Sequence, residues 1–253
     1  MKTIIDYVLE PSEAALWWLG QAGYILKVSD QIVAIDPYLS DIANGGVAGF
    51  ARTFPSPVKP SELKVDVYVI THDHLDHLDP VTIEAYSYKT DTWFIAPRLA
   101  AKKLLTLGIP EGRILIVNAG ESKTVNSINI TGVFALPTGK DVIDTTGYLI
   151  EFANCRTVYH TSDTQFHPLV LEAAPSKPDV MLIPINGKWK NTNAEEAALF
   201  AKSVQPRYVM PNHYDMMALN AENPEVFKWF CVHHELVSEC FIPQNFKPFS
   251  WSA

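Results

Sequence analysis

Runs of apolar, β-branched and aromatic residues recur along the chain between Gly, Pro and Asp breaks, and their spacing predicts most of its elements. "LWWLG", "YILKV" and "IVAID", between Leu16 and Asp36, read as three strands of a small meander separated by "QAG" and "SDQ". Pro37 to Leu63, rich in Gly, Pro and Ser, reads as one long loop of the functional kind. "VDVYVI" (Val65 to Ile70) is almost continuously apolar, as a strand covered on both faces must be. Asp79 and Pro80 then supply the cap and first turn of a helix reaching about Tyr86. "TWFIA" is a strand, "PRLAAKKLLTLG" a helix opened by Pro and closed by Gly, and "RILIV" a strand. Shorter strands are expected at Ser127–Leu136, Gly147–Phe152 and Arg156–His160, then in "DVMLIPIN" and "RYVMPNH". Helices are expected at Ala194–Ser203 and Pro224–Cys231. No repeat, low-complexity tract or linker interrupts this order. Two runs of strands, each followed by strand–helix alternation, predict an α/β protein of two halves in layers, with sheets inside and helices outside.

Composition narrows the partners. The 253 residues suit one compact domain, 1–253. With 20 basic against 28 acidic residues, a net charge of -8 and no basic cluster longer than Lys102–Lys103, nucleic acid is excluded as a main partner. Three widely spaced cysteines, Cys155, Cys231 and Cys240, build no disulfide framework and fit a reducing cytoplasm. Asp6, Glu10 and Glu13 interrupt the N-terminal region, and no window approaches the roughly 18 apolar residues of a membrane span. The expectation is a soluble, cytoplasmic protein with a small-molecule substrate and no membrane partner. The apolar segment "CFIPQNFKPFSW" either covers the chain's own core or faces a second copy, so a homo-oligomer stays open.

One stretch changes the picture. His72 to Asp79, directly after the apolar run, holds three histidines and three aspartates in eight residues. His72, His74, Asp76 and His77 fit H-x-H-x-D-H, a pattern that shuffling this composition yields on the order of 0.0004 times. Imidazole and carboxylate together suit zinc, manganese or iron better than calcium or magnesium. Further strands end alike: "RTVYHTSD" delivers Asp163, "RYVMPNH" delivers His213 and "IVAID" delivers Asp36. In helix-covered sheets ligands gather beyond the carboxyl ends of strands, so these groups are expected to converge.

"THDHLDHLD", "YHTSDT" and "MPNH" resemble the metallo-β-lactamase superfamily. "WWLGQAGYILK", "APRLAAKKLLTLGIPEGRILIVNAGE", "MPNHYDMMALNAENPEV" and "NFKPFSW" make the chain most similar to its L-ascorbate-6-phosphate lactonase branch. The resemblance implies a four-layered αβ/βα sandwich (the metallo-β-lactamase fold): two mixed sheets, helices on the outer faces, and metals at one edge. It further implies that His72 and His74 hold one ion, that Asp76, His77 and His213 hold a second, and that Asp163 bridges them. Asp36 would orient the site without binding metal. A further histidine ligand of many members has no counterpart here, because "VFALPTGKD" offers only Thr138, Lys140 and Asp141. The implied cofactor is therefore one or two divalent ions, zinc or manganese. The chain is also shorter than the lactonases in the loop after Asp36 and before Tyr148.

Other residues carry weaker expectations. His160 reads as a buried, satisfied histidine beside the site rather than a ligand. His167, Lys188, Lys190 and Arg52 are candidates for holding an anionic, sugar-acid phosphate-like substrate. Trp17 and Trp18 read as core and surface of a strand, and His233 and His234 as helix-end residues. A divalent ion lowers the pKa of bound water from about 15.7 towards 7. Hydroxide is then available to open a lactone or related ester, with Asp76 as the catalytic base. No G-x-S-x-G elbow or P-loop is present. The alternatives are a small-molecule phosphodiesterase and a non-catalytic metal-stabilised binding protein.

Overall fold

The computed structural model describes residues 1–46 and 49–252. After one helical turn, α1 (Lys2–Ile5), the chain lays down an antiparallel meander of β1 (Ala14–Gly20), β2 (Gly23–Val28) and β3 (Gln31–Ile35). The same sheet continues with parallel strands β4 (Val67–Val69), β5 (Trp93–Ala96) and β6 (Ile114–Ile116). Its crossovers carry α2 (Pro80–Ala85) and α3 (Arg98–Thr106). The second sheet repeats the plan. β7 (Ser122–Val125), β8 (Ile128–Phe134), β9 (Thr146–Glu151) and β10 (Thr157–His160) are antiparallel neighbours. β11 (Val180–Pro184), β12 (Tyr208–Asn212) and β13 (Glu239–Cys240) follow in parallel. α4 (Pro168–Ala173), α5 (Ala194–Val204) and α6 (Pro224–His233) fill those crossovers. β14 (Pro248–Trp251) then returns to the outer edge of β1, giving each sheet seven strands.

Period-two alternation sorts the side chains between layers. On β1, Leu16 and Trp18 enter the core shared with the second sheet, while Ala15, Trp17 and Leu19 enter the core beneath α2 and α3. Both tryptophans are therefore buried, Trp17 at 0% and Trp18 at 2% exposure, which corrects the expectation of a surface position: the strand is covered on both faces. The parallel strands β4, β11 and β12 are buried along most of their length for the same reason. These layers match the predicted sandwich of two mixed sheets with helices outside.

Helix starts are secured by side chains. Asp79 accepts from the Thr82 backbone N–H at 3.0 Å and caps α2, with Pro80 in the first turn. Its other oxygen accepts from Leu39 and Ser40 N–H, so the residue that starts the helix also anchors the chain leaving β3. Asn193 and Glu196 close a capping box on α5. The described residues of the segment 37–63 are loop with two short 3-10 turns, and a small core of Tyr38, Met216 and Met217, packed by Phe50 and Phe54, holds them. Gly20, at φ +104°, lets this core close, since a Cβ there would run into the Met216 sulfur. Among the described residues no helix is long and apolar enough to cross a membrane.

Candidate metal centre

Four strand ends deliver the site. Asp36 follows β3, the segment His72–His77 follows β4, Asp163 lies just past β10 and His213 follows β12. All lie beyond the carboxyl ends of their strands, where ligands of parallel sheets are expected. The sheets are tied together there: Thr146 N–H donates to Thr71 O at 3.0 Å, and His213 N–H to Gln21 O at 3.3 Å. Gln21, Asp36, Ser162 and His213 all hold positive φ, between 42° and 62°. Left-handed backbone at non-glycine residues is uncommon and clusters at functional sites.

The side chains form two groups whose ligand atoms lie within 4.8 Å of one another: His72, His74 and Asp163, and Asp76, His77 and His213. His72 Nε2 and His74 Nδ1 face each other at 2.9 Å. Asp163 Oδ1 lies 2.9 Å from His213 Nε2 and 3.5 Å from His77 Nε2, so one carboxylate touches both groups. His77 Nδ1 meets Asp36 Oδ2 at 2.7 Å, and the Thr71 backbone N–H and hydroxyl donate to Asp36 at 2.8 and 2.6 Å. Asp36 thereby turns the other nitrogen of His77 towards Asp163.

Do these residues fit an ion? His77 Nε2, His213 Nε2 and Asp163 Oδ1 are buried, converge on one volume and have no hydrogen-bond partner other than one another. Buried polar atoms are rarely left unpaired, and three electron-donating atoms aimed at one point suit a divalent cation. The electrostatics agree. Burial pulls His77 down, but the carboxylates of Asp163, Asp76 and Asp36 outweigh it and push its pKa up to about 10. Burial raises Asp163, but His213 and His77 outweigh it and hold the carboxyl well below its usual range. Burial and then His77 keep His72 neutral. The field that retains a proton on His77 also attracts a cation.

A pH dependence follows for protein stripped of metal. A folded pKa of about 10 against an unfolded 6.5 stabilises the fold fully below pH 6.5, and that contribution is lost as pH rises towards 10. Thermal melts of chelator-stripped protein should show Tm falling across this window, while metal-loaded protein stays level. A level profile for the stripped protein would contradict the charge assignment.

The remaining candidates separate. His160 is fully buried, its Nε2 meeting Ala22 O at 2.9 Å and its Nδ1 accepting from Ser162 N–H at 3.0 Å. It shapes the turn before Asp163 and has no nitrogen free for a metal. A cavity of about 380 Å³ opens on His74, Asp76 and Asp163, and of the four anion-binding candidates only Lys188 lines it. Arg52 donates to the Tyr38 and Phe54 carbonyls at 2.7 and 3.2 Å, tying the long loop to itself. His167 caps α4, accepting from Leu169 N–H. Lys190 is exposed and outside the lining. Of the four, Arg52 and His167 are engaged by loop and helix backbone elsewhere, and Lys188 alone reaches the cavity.

Three contributing residues escaped the sequence reading. Gln21, in the β1–β2 turn, places Nε2 3.0 Å from Asp76 Oδ2 and 3.2 Å from His213 Nδ1. Asn220 lies 3.2 Å from His213 Nδ1. Its amide nitrogen faces that ring nitrogen while its oxygen accepts from Asn186 Nδ2; with both amides turned, Asn220 would accept Nδ1–H, donate to Asn186 Oδ1 and leave His213 Nε2 free for a ligand. Asp141 Oδ2 stands 3.4 Å from His74 Nε2. It occupies the region without the extra histidine and backs the imidazole whose Nδ1 faces His72. Asp141→Ala is expected to weaken metal binding about tenfold, the lower end for residues that orient a ligand. Chelator competition measures this; unchanged affinity would show that the contact does not position His74.

Comparison with known proteins places this geometry. The β-lactamase superfamily domain family matches residues 15–213. A UPF0173 metal-dependent hydrolase from Caldivirga maquilingensis is 31% identical, covering 84% of this chain and 87% of its own. Another from Methanosarcina mazei is 28% identical over 86% and 90%. The structure of Igni18, a metallo hydrolase of Ignicoccus hospitalis, superposes with TM-score 0.76 at 22% identity, covering 95% of this chain and 99% of that one. A matched span running from β1 to His213, together with that level of identity, shows that this chain belongs to the metallo-β-lactamase superfamily, in its UPF0173 metal-dependent hydrolase family.

Proposed function

We propose that this hydrolase opens a lactone or related ester of a small molecule, using one or two zinc or manganese ions, in a reducing, cytoplasmic setting. The observation that carries the reading is the cavity of about 380 Å³ whose floor is His74, Asp76 and Asp163. The stretches similar to the ascorbate-6-phosphate lactonase branch support the lactone class, and three cysteines free of disulfides suit the compartment.

His72, His74 and Asp163 would hold one ion, and Asp76, His77 and His213 with Asp163 a second. When bound, such ions make water acidic enough to attack at neutral pH and polarise a carbonyl. The chain's own residues supply the rest. Gln21 fixes one oxygen of Asp76, leaving that side chain, 17% exposed, facing the cavity. Asp76 takes the proton of the attacking water as its oxygen bonds to the acyl carbon. The carbon–alkoxy bond breaks, and the proton passes from Asp76 to the leaving alkoxide. Lys188, the only lysine or arginine in the described lining, is the residue that would steady the developing oxyanion.

The test is a pH-indicator screen of lactones and phosphodiesters with protein stripped by chelator and reloaded. Lactone turnover lost with chelator and regained with zinc or manganese is expected. Phosphodiester turnover alone would move the protein to the other ester class, and ligand-induced stabilisation without product would make it a binding protein.

A further inference from the structure

On the hydrolase reading above, we infer that the substrate carries an apolar group of aromatic size, held against Trp189 and Phe50 while its ester faces His74, Asp76 and Asp163. The walls above the ligand cluster are Phe50, Leu75, Trp189 and Met217. Against them stands one ammonium, on Lys188, which already donates to the Leu219 carbonyl. Asp76, Asp141 and Asp163 line the same cavity, so an additional anion on the substrate would meet three carboxylates and a single engaged cation.

Trp189 is held there at a conformational cost. It has φ 51° and its neighbour Lys190 has φ 73°, the left-handed region that bulky side chains avoid. The turn is closed around them: Gly187 N–H donates to Thr192 O at 3.0 Å, and Asn191 N–H to Lys188 O at 2.8 Å. A bridge between Asn186 and Asn193 seals its base, and a Cβ on Gly187 would strike Asn193. This closed turn leaves the indole 52% exposed at the cavity mouth. Exposing a large apolar ring through strained backbone makes physical sense where something covers it.

Phe50 arrives from the other side. Its ring centroid is 5.8 Å from that of Trp189 at 31°, so the pair joins two loops distant in sequence. The Phe50 segment is fixed by Gly49 O accepting from Leu219 N–H at 2.9 Å and by the small core of Tyr38, Met216 and Met217. The aromatic wall is thus preformed. A volume of about 380 Å³, near the lower end of small-molecule sites, admits a ring and an ester together.

The experiment compares γ-phenyl-γ-butyrolactone with γ-butyrolactone on metal-loaded, full-length protein. Burying the phenyl ring should raise kcat/KM at least about tenfold. Trp189→Ala should lower that ratio at least about fivefold, and Trp189→Phe should restore most of it. A ratio near one, or a ratio unchanged in Trp189→Ala, overturns the inference. So does preference for phosphogluconolactone over gluconolactone, which leaves ester hydrolysis standing. Calorimetry with the ring-opened hydroxy acids of the first pair needs no turnover. Tighter binding of the phenyl acid, lost in Trp189→Ala, supports the inference even if no lactone is hydrolysed; equal binding overturns it.

Discussion

Asp163→Asn is expected to lower metal affinity more than about a hundredfold and to abolish measurable hydrolysis while leaving the fold in place. Residues that merely orient a ligand change affinity by about 10- to 100-fold, and Asp163 touches both groups directly. Asparagine keeps the shape and removes the charge. Its carbonyl is a weaker donor to a divalent ion, and three imidazoles lose the anion that offsets the cation's approach. Fold survival follows because Asp163 belongs to no helix or strand and its side chain caps none. Elemental analysis, circular dichroism and the lactone assay read the three consequences together. Full metal content with unchanged turnover would remove Asp163 from the centre.

Asp36→Ala is expected to combine two large effects. Thr71 N–H, the Thr71 hydroxyl and His77 Nδ1 would all lose their buried acceptor. At about 1–3 kcal/mol for each group left unpaired, stability should fall by roughly 3 kcal/mol or more. Metal affinity should fall 10- to 100-fold as His77 loses the contact that fixes its ring. Asp36→Asn separates the effects: its oxygen can still accept from Thr71, and asparagine tolerates the φ of 42°. Most stability should return in that variant and less of the metal affinity. Urea unfolding and chelator competition measure the two. Equal loss of both in Asp36→Asn would show that the carboxylate's charge, rather than its hydrogen bonds, secures the strand end.

How much of this was legible in the sequence depended on what each residue obeys. Strands β1 to β5 announce themselves because a strand buried on both faces must be apolar along most of its length, and "VDVYVI" has no other use for that composition. Asp79–Pro80 and Asn193–Glu196 are readable because capping is chemistry between near neighbours. β7, with three of its four residues exposed, lacks the apolar signal, and β14 sits in a stretch readable as apolar whose Pro243 and Pro248 hide an edge strand. α4 is short, and its capping residue, His167, is not among the usual caps.

The centre divides likewise. The H-x-H-x-D-H segment is local, so its groups could be expected together. Asp36, Asp163 and His213 were recognisable only by their place after strands and by resemblance to the family. Gln21, Asn220 and Asp141 carry no motif, and their contribution appears only once the β1–β2 turn, the β8–β9 connection and the segment after β12 meet the segment after β4. The substrate side was the least legible, because the direction of an arginine or lysine in a loop is set by carbonyls that spacing does not reveal. Arg52 shows this: two loop carbonyls hold its guanidinium, and the rings of Tyr38 and Phe54 lie within 5.4 and 5.8 Å of it.

The central claim is that side chains from four strand ends bind divalent metal together, and titration of chelator-stripped protein with zinc and with manganese tests it most directly. One or two equivalents should bind at micromolar concentration or tighter in the native chain, with binding lost in the His77→Ala, His213→Ala double variant at unchanged circular dichroism. Folded native protein that takes up neither ion, or a double variant that binds as the native chain does, would contradict it.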